Sequence, residues 1–411
     1  MTMLGSMKVV SFCHVLQGPA CTQYLGDMGA EIIKIEPIEG ERARRWAGPH
    51  FGDASGLYLC AFRNKRCLAV DLKSPEGREI VLSLIDQADV VVENYRSGVM
   101  ERLGLSYDAL RQRKPDIIYA SGTGWGGAGP MVKRPAQDII IQARTGLAYA
   151  TGHGGARAVG SAIIDQHGGA LLAMGIVAAY VKKLTTGQGT RVESSLFAAG
   201  LDMQTEPLTV YLSQRPGAAV FDREEHLATW YHQAPYGIYR LLDAEIAMSV
   251  NDPMKVADAL DSDELRRIAK VDRFADRDHY SREFAKVMAT RRFADVERAF
   301  DPVGIWYSKV FSFDEVAGDP QAEALGVFRH EDVGGVPVTL VNHPIRYDGE
   351  APPLRVKAVK VGENTREILT EMGFSAERIT DLVRRGVVRA AGETADAHGG
   401  EVNIDGGRKI A

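Results

Sequence analysis

Residues 8–36 read KVVSFCHVLQGPACTQYLGDMGAEIIKIE, and this stretch decides the fold. A β-rich run over residues 8–13 leads to the pair Gly18-Pro19, and proline suits the first turn of a helix. The helix that follows has one apolar face and ends at Gly29. A second β-rich run occupies residues 31–36. Strand, helix and strand in this order predict a βαβ unit with parallel strands.

The same alternation continues along the chain. Ser74-Pro75-Glu76 caps a predicted helix that precedes a β-branched strand over residues 89–94. A helix over 107–113 and a strand over 116–121 follow. Residues 168–184 are rich in Ala, Gly, Leu, Ile and Val on all sides, which predicts a helix packed all round in the core. The fold class is therefore α/β with a mostly parallel sheet.

The repeating pattern stops near residue 200, which predicts more than one domain. Short strands over 236–240 and 246–250 among amphipathic helices indicate a smaller α+β domain. Capped helices over 365–372 and 375–385 follow near the end of the chain. The predicted divisions are a large domain over 7–200, a linker over 201–230, a small domain over 231–310, a second linker over 311–335, a C-terminal part over 336–388 and a flexible tail over 389–411.

Composition excludes several classes of protein. The 411 residues are 45% hydrophobic and 25% charged, and the net charge of −5 with interspersed signs offers no basic stripe for a nucleic acid. We expect no membrane span and no secretory signal, hence a cytoplasmic protein. The spacing of the four cysteines fits neither a zinc site nor a redox pair, so we expect buried thiols and no metal.

Asp165 is the carboxylate whose position invites a functional role. It follows a strand-like run over residues 161–164 and precedes the apolar helix. One interpretation is a helix N-cap that satisfies free backbone N–H groups. The other is a nucleophile, because the same donors would keep the carboxylate ionised and stabilise its acylated form. Position alone favours the cap. His14 and His167 are the nearest histidines, and each alone suits a structural role better than that of a base.

Residues 122–127 (GTGWGG) match GxGxxG, a pattern of dinucleotide sites. The chain continues as PMVKRP over 130–135, so no helix opens on the third glycine to receive a pyrophosphate. We interpret the segment as a Gly-rich loop over a bound ligand. Cations that could meet phosphates stand near the ends of predicted strands, where open α/β sheets bind ligands: Arg63, Lys65, Arg66, Arg96, Arg102, Lys133 and Arg134.

Over nearly its full length the sequence resembles the family III CoA transferases, the CaiB/BaiF family, and its N-terminal half resembles formyl-CoA transferases. The stretches that carry the resemblance are residues 14–19 (HVLQGP), 25–36 (LGDMGAEIIKIE), 64–66 (NKR), 70–73 (VDLK) with Gly77, 92–95 (VENY), 102–104 (RLG), 121–130 (SGTGWGGAGP), 142–147 (QARTGL) with Thr151-Gly152, and 362–365 (GENT) with Ile368, Leu369 and Gly373.

The resemblance implies that Asp165 is the nucleophile, which would react through a mixed anhydride and an aspartyl-CoA thioester. It implies CoA contacts from Val15, Leu16, Asn94, Tyr95, Arg102 and Lys133, and an acyl pocket with His14, Gln17, Trp46 and Asp138. It further implies a Rossmann-like large domain built from both chain ends, an interlocked homodimer, and coenzyme A or acyl-CoA as substrate, with no permanently bound cofactor. The expected partners are a second copy of the chain, an acyl-CoA and a carboxylic acid.

Two departures bear on the substrate. Formyl-CoA transferases carry a glycine-rich loop where this chain reads TWYHQAPY over 229–236, so formate and oxalate are not the preferred acids. The alternative function is that of α-methylacyl-CoA racemases, which share the fold and use a histidine directly before an aspartate. Here Gln137 precedes Asp138, so the proton-shuttling histidine is missing.

Overall fold

The computed structural model describes residues 2–46, 48–52, 54–214, 222–358 and 360–393. Residues 394–411, most of the predicted flexible tail, lie outside the described residues. The strands are β1 (Lys8–Phe12), β2 (Glu31–Glu36), β3 (His50–Phe51), β4 (Ala54–Ser55), β5 (Arg66–Val70), β6 (Val90–Glu93), β7 (Ile118–Thr123), β8 (Arg191–Ser195), β9 (Gly237–Arg240), β10 (Glu245–Met248), β11 (Tyr307–Lys309), β12 (Phe328–Val333), β13 (Val336–Val341) and β14 (Val388–Arg389).

The helices are α1 (Gln17–Asp27), α2 (Gly56–Ala61), α3 (Pro75–Asp86), α4 (Val99–Arg102), α5 (Tyr107–Arg113), α6 (Asp138–Arg144), α7 (Leu147–Thr151), α8 (Ile163–Thr186), α9 (Leu196–Asp202), α10 (Thr205–Ser213), α11 (Pro253–Ala259), α12 (Asp263–Ile268), α13 (Arg277–Met288), α14 (Phe293–Phe300), α15 (Phe313–Ala317), α16 (Pro320–Leu325), α17 (Thr365–Glu371) and α18 (Ala376–Arg384). Two 3₁₀ helices cover Arg42–Arg44 and Asp301–Val303.

The chain forms two compact units. The first comprises the described parts of residues 1–138, 163–199 and 327–411, and the second comprises those of 139–162 and 200–326. The first unit thus contains residues from both ends of the chain. The boundaries of the two units differ from those of the predicted domains. Residues 139–162 fall within the predicted large domain over 7–200, but they belong to the second unit.

The first unit is built on a seven-stranded sheet in the order β14-β5-β2-β1-β6-β7-β8. Neighbouring strands from β5 to β8 pair in parallel, and β14 is antiparallel to β5. In β1, Val9 is paired with Ile32 of β2 and Val90 of β6. The strands predicted around residues 8–13, 31–36, 89–94 and 116–121 are confirmed, as is the mixed α/β class with a predominantly parallel sheet.

Both faces of this sheet are covered, as parallel sheets require. Alternate residues of β1 point to opposite sides. Val10 packs into a core with apolar residues of α3, α17 and α18, whereas Val9 packs into a second core with residues of α1 and α8. Leu4 is buried in the second core, so the compact unit includes a residue that precedes the predicted start at residue 7.

Helix α8 differs from its prediction in two ways. It begins at Ile163, so the strand-like run before Asp165 is already helical in its second half. It is also not packed all round in this chain, since Met174, Val181 and Leu184 expose more than half of their surface. By length and composition alone α8 could cross a membrane, contrary to the expectation of no such run, but core helices of soluble proteins pass the same test.

The second unit has its own apolar core, formed around the antiparallel sheet β11-β10-β9 and helices α11 to α14. The strands predicted over 236–240 and 246–250 correspond to β9 and β10. The predicted linker over 201–230 contains helix α10, and its described residues belong to this unit. Among the cysteines, Cys13, Cys21 and Cys67 are buried as expected, whereas Cys60 is exposed.

Candidate active site

The loop between β1 and α1 is held in one shape by its neighbours. Val15 adopts φ = 63°, an uncommon left-handed backbone conformation for a β-branched residue. The main chain of His14 is fixed on both sides by the amide of Asn94, which accepts from its N–H at 2.8 Å and donates to its carbonyl at 2.9 Å. Such strain persists only where surrounding contacts over-determine the backbone, and it is frequent at ligand sites.

Glycines let α8 approach the start of α1. A Cβ placed on Gly169 would lie 2.8 Å from the carbonyl oxygen of Gln17 and 3.1 Å from the backbone nitrogen of Cys21, so a larger residue would clash with main chain. The same closeness brings the first turn of α8 to the first residue of α1. There the carboxylate of Asp165 accepts a hydrogen bond from the backbone N–H of Gln17.

Asp138 caps α8, a role that the sequence analysis considered for Asp165. Oδ2 of Asp138 accepts from the backbone N–H groups of Ile164 at 2.8 Å and Asp165 at 3.0 Å. Asp165 itself is the third residue of the helix, three positions after the N-cap position. The prediction that its position favours an N-cap is therefore wrong. The cap comes from a residue far away in sequence, which leaves the side chain of Asp165 available for chemistry.

The ionisation of Asp165 also differs from the expectation. Burial, and to a smaller extent the negative charge of Asp138, together raise its pKa from the ordinary value to about 7, against a smaller lowering by the Gln17 N–H. Helix donors were expected to keep this carboxylate ionised, but desolvation and a like charge outweigh them. A carboxyl group that titrates near neutral pH is a common feature of active sites.

Gln17 contributes a second donor. Its side chain is 3% exposed, and its Nε2 has no hydrogen-bond partner among the residues that the structure describes. The amide lies between two glycines, since a Cβ on Gly168 would be 3.0 Å from Nε2 and one on Gly122 would be 3.1 Å from Oε1. A buried N–H without a partner is costly, and a ligand oxygen beside Asp165 would satisfy it.

His14 and Tyr95 form a flat wall at the ends of β1 and β6. Their rings stack with centroids 5.0 Å apart. Burial, together with the charges of Lys34, Arg42 and Arg96, lowers the pKa of His14 to about 4, against a raising effect of its hydrogen bond with Asn94. His14 is therefore neutral at physiological pH, and its Nδ1 is buried without a partner in the described structure. Val15 and Leu16 belong to the same loop.

A buried ionic network supports this loop, and sequence reasoning missed it. The ammonium group of Lys34 donates to the carbonyl of Cys13 at 3.0 Å and to Glu41 at 2.7 Å. Glu36 receives two hydrogen bonds from Arg44, each of 2.8 Å. The signal was present in β2, where a lysine stands between Ile33 and Ile35 in a buried strand. A buried charge of this kind needs partners, and here the partners fix the site loop.

The remaining predicted residues are placed less centrally. Trp46 is 41% exposed, with the guanidinium of Arg42 5.7 Å from its ring centroid. Arg102 ends α4, and Lys133 is exposed in the loop after β7. No described hydrogen bond or ion pair joins Arg102 or Lys133 to the Asp165 site. The loop over 124–137 opens no helix, which confirms that its GxGxxG match is not a dinucleotide motif.

A cavity of about 690 Å³ lies at the opposite, amino-terminal end of the strands, lined among others by Lys8, Glu31 and Arg66. The guanidinium of Arg66 is already paired with Glu31, Glu367 and Glu371. Asp165 lies instead beside the loop that follows β1, at the carboxyl end of that strand, where open α/β sheets bind ligands.

Fold and site together define an α/β enzyme with a desolvated carboxyl group beside unpaired donors. The family model described as CoA-transferase family III matches residues 4–365, and the chain belongs to that family. It is accordingly a CoA-transferase. It is 29% identical to human succinyl-CoA:glutarate CoA-transferase, over 94% of this chain and 90% of that protein.

Two further comparisons agree. The chain is 30% identical to acetyl-CoA:oxalate CoA-transferase of Acetobacter aceti, over 87% of this chain and 92% of that protein. The crystal structure of a CaiB/BaiF family protein from Brucella suis superimposes with a TM-score of 0.77, at 27% identity, covering 90% of this chain and 99% of that one. The resemblance read from the sequence motifs is confirmed.

Proposed function

We propose that this enzyme moves coenzyme A between two small carboxylic acids through covalent intermediates on Asp165. The observation that carries the proposal is the environment of that carboxylate: a desolvated group in the first turn of α8, bonded to the Gln17 N–H and held beside Asp138. Desolvation strengthens a nucleophile and keeps water from the acylated forms.

The cycle starts when an oxygen of ionised Asp165 attacks the carbonyl carbon of the donor thioester. The C–S bond breaks, CoA leaves as a thiolate, and a mixed anhydride remains. The thiolate then attacks the Asp165 carbonyl of that anhydride and releases the donor acid. The result is an aspartyl-CoA thioester, and no water has been used.

The acceptor completes the cycle in reverse order. Its carboxylate attacks the aspartyl thioester and again forms an anhydride and a thiolate. The thiolate attacks the acceptor carbonyl, which yields the new acyl-CoA and restores the Asp165 carboxylate. Each attack passes through a tetrahedral oxyanion, and the unpartnered Nε2 of Gln17 is a donor that can stabilise it.

We assign the stacked His14 and Tyr95, with Val15 and Leu16, to the wall that receives the CoA moiety. Asn94 positions this wall and does not itself bind CoA through its amide, because the amide oxygen and nitrogen are already hydrogen-bonded to the main chain of His14. Arg102 and Lys133 stay predicted phosphate contacts. We also propose an interlocked homodimer and a cytoplasmic location.

Small organic acids are the proposed substrates because the relatives are named for them. Succinyl-CoA and glutarate name one, acetyl-CoA and oxalate another, and (R)-2-hydroxy-4-methylpentanoate a third, from Clostridioides difficile. The glycine-rich loop missing from residues 229–236 argues against formate and oxalate for this chain.

The test is chemical trapping. The protein is incubated with a panel of acyl-CoAs, treated with hydroxylamine or borohydride, and the modified residue is mapped by mass spectrometry. We expect a hydroxamate or an alcohol at Asp165 with a competent donor, and no such product in Asp165→Asn. Turnover that persists without any modification of Asp165 would contradict the proposal.

A racemase is the second candidate, since a carboxyl group with a pKa near 7 could also act as a general acid or base. The pairing of Asp138 with two backbone N–H groups argues against an acid–base pair of these two residues. Exchange of the α-proton of a 2-methylacyl-CoA into deuterated water, without a second acid, would favour the racemase.

A further inference from the structure

Lys65 is a buried cation in the turn between α2 and β5, and the residue is 2% exposed. Its ammonium group donates to the carbonyl oxygens of Pro19 and Ala61, each at 2.6 Å, and lies 4.8 Å from the ring centroid of Phe62. It forms no ion pair with a carboxylate in the described part of the chain. These contacts argue against the predicted role as a cation that meets a phosphate.

The two carbonyl groups that Lys65 binds belong to different helices. Ala61 is the last residue of α2, where backbone carbonyls lack partners within the helix and a positive charge is favourable. Pro19 lies in the first turn of α1. A cap of α2 alone would need only the bond to Ala61. The second bond joins the end of α2 to the start of α1.

The start of α1 carries the donors that face Asp165. The backbone N–H of Gln17, two residues before Pro19, donates to the carboxylate of Asp165. The side-chain Nε2 of Gln17 is buried without a partner among the described residues, and it lies beside Gly168 of α8. The position of this first turn therefore decides whether both donors of Gln17 reach the carboxylate and a substrate oxygen next to it.

Two lysines hold the chain on either side of these donors, and they differ in their partners. Lys34 binds the carbonyl of Cys13 at 3.0 Å and is paired with Glu41 at 2.7 Å. Lys65 holds the other side without a carboxylate. Burial and the charge of Lys34 lower the pKa of Lys65 to about 7, against opposing effects of Cys13 and Glu41. An ammonium group in this environment is costly, and an apolar side chain would fill the space without that cost.

We infer that Lys65 is a positioning residue of the transfer reaction, which holds the first turn of α1 so that Gln17 meets Asp165. Lys65 does not touch the substrate, and it acts through the main chain of Pro19. Misplacing a catalytic group by about 1 Å can cost about 100-fold in rate, so a small shift of this turn is enough to slow transfer. The inference rests on the proposed function and adds a residue outside the loop between β1 and α1.

The experiment compares Lys65→Met with the control Lys183→Met. Lys183 also ties two elements together, through Asp89 at 2.9 Å and Asp116 at 3.0 Å, but at the amino-terminal ends of β6 and β7. We expect Lys65→Met to lower kcat by about 10- to 100-fold and to leave the KM for the acyl-CoA within about threefold, because Asn94 still holds the CoA wall. Lys183→Met should change neither constant.

The pH profile separates positioning from a purely structural role. The N–H of Gln17 lowers the pKa of Asp165, so a displaced α1 should raise that pKa further. The acid limb of kcat/KM should therefore move to higher pH in Lys65→Met and stay in place in Lys183→Met. Thermal melts show whether each variant is folded in the assay. If Lys65→Met does not fold, Lys65→Gln is measured instead, and because it keeps an N–H donor its changes should have the same sign and a smaller size.

Three results would overturn the inference: an unchanged kcat in the folded variant, an acid limb that stays in place, or an equal loss of kcat in Lys183→Met. A raised KM for the acyl-CoA at constant kcat would also overturn it, because Lys65 would then serve CoA binding. Failure to trap any adduct at Asp165 in the wild-type protein sinks the proposed function. An adduct that forms in Lys65→Met at the wild-type rate sinks only the role of Lys65.

Discussion

Two carboxylates in the first unit are both withdrawn from solvent, and the structure treats them in opposite ways. Asp27, at the end of α1, receives hydrogen bonds from Arg63 at 2.7 to 3.2 Å and from Asn64 at 2.7 Å, with His343 3.4 Å away. Asp165, in the first turn of α8, has no described cationic partner and faces Asp138 instead.

Their pKa values follow from these partners. Burial opposes the ionisation of Asp27, but the bonds from His343 and Arg63 and the charge of Arg63 hold its pKa below the ordinary value. Burial and a like charge raise the pKa of Asp165 to about 7. One carboxylate fastens segments of the fold to each other. The other, Asp165, has a raised pKa, a property that is frequent among active-site carboxyl groups.

The largest expected effect is on turnover. Asp165→Asn removes the proposed nucleophile while keeping the size of the side chain, so we expect CoA transfer to fall by at least about ten-thousandfold. Steady-state transfer from an acyl-CoA to a carboxylate measures it. Circular dichroism of the variant controls for folding. Retention of more than a few per cent of the activity would place the nucleophile elsewhere.

The ion pair of Asp27 should matter for stability rather than for turnover. Arg63→Met leaves Asp27 buried without its main cation, which should lower the free energy of unfolding by about 3–5 kcal/mol. Urea denaturation gives the value. Arg113→Met is the matched control, since Arg113 pairs with Asp86 at the surface and its loss should change stability by less than about 1 kcal/mol. Equal effects of the two changes would show that the Asp27 pair is not special.

Asp165→Asn should make the fold more stable at neutral and alkaline pH. Because the folded pKa of Asp165 is raised, the folded protein holds the proton more tightly than the unfolded chain, and stability is lost as pH rises from about 4 to 7. The asparagine variant lacks this loss, so its advantage over the wild type should reach the order of 2 kcal/mol at pH 8 and vanish near pH 3. Thermal melts at the two pH values test the sign.

The smallest change is in the pH profile. The acid limb of kcat/KM should lie near pH 7 in the wild type, because the reaction needs ionised Asp165. Asp138→Asn keeps an oxygen for capping α8 and removes the like charge, so the limb should move to lower pH. Asp138→Ala also loses the cap and should destabilise the protein. A limb that stays in place in Asp138→Asn would mean that Asp138 does not act on Asp165.

Local signals in the sequence located most of the elements near the site. The Gly18-Pro19 pair in the first turn of α1, the Ser74 cap and the β-branched run around β6 all depend on neighbours within a few residues, and the structure agrees. The start of α8 was placed too late because its cap, Asp138, lies 27 residues upstream. A contact over that distance has no local pattern.

The sequence motifs predicted Asp165, Gln17 and His14 as site residues but not their physical states. The structure places Asp165 beside Gln17, at the loop that also contains His14, and their roles stay predictions. The raised pKa of Asp165 depends on burial and on Asp138, and the fixed amide of Asn94 depends on the main chain of His14. Neither follows from residue identity. Lys34 could have been noticed, since a lysine within a buried strand requires partners.

In the proposed cycle an oxygen atom of the acceptor acid ends on the carboxylate of Asp165, and an isotope label tests this transfer most directly. A single turnover is run with an acceptor acid labelled with ¹⁸O in its carboxylate, and the mass of the peptide that contains Asp165 is measured by mass spectrometry. In the proposed cycle the acceptor attacks the aspartyl thioester and leaves one of its oxygens behind, so the peptide should gain one ¹⁸O atom. A product acyl-CoA formed at full yield with no ¹⁸O in Asp165 would contradict the account.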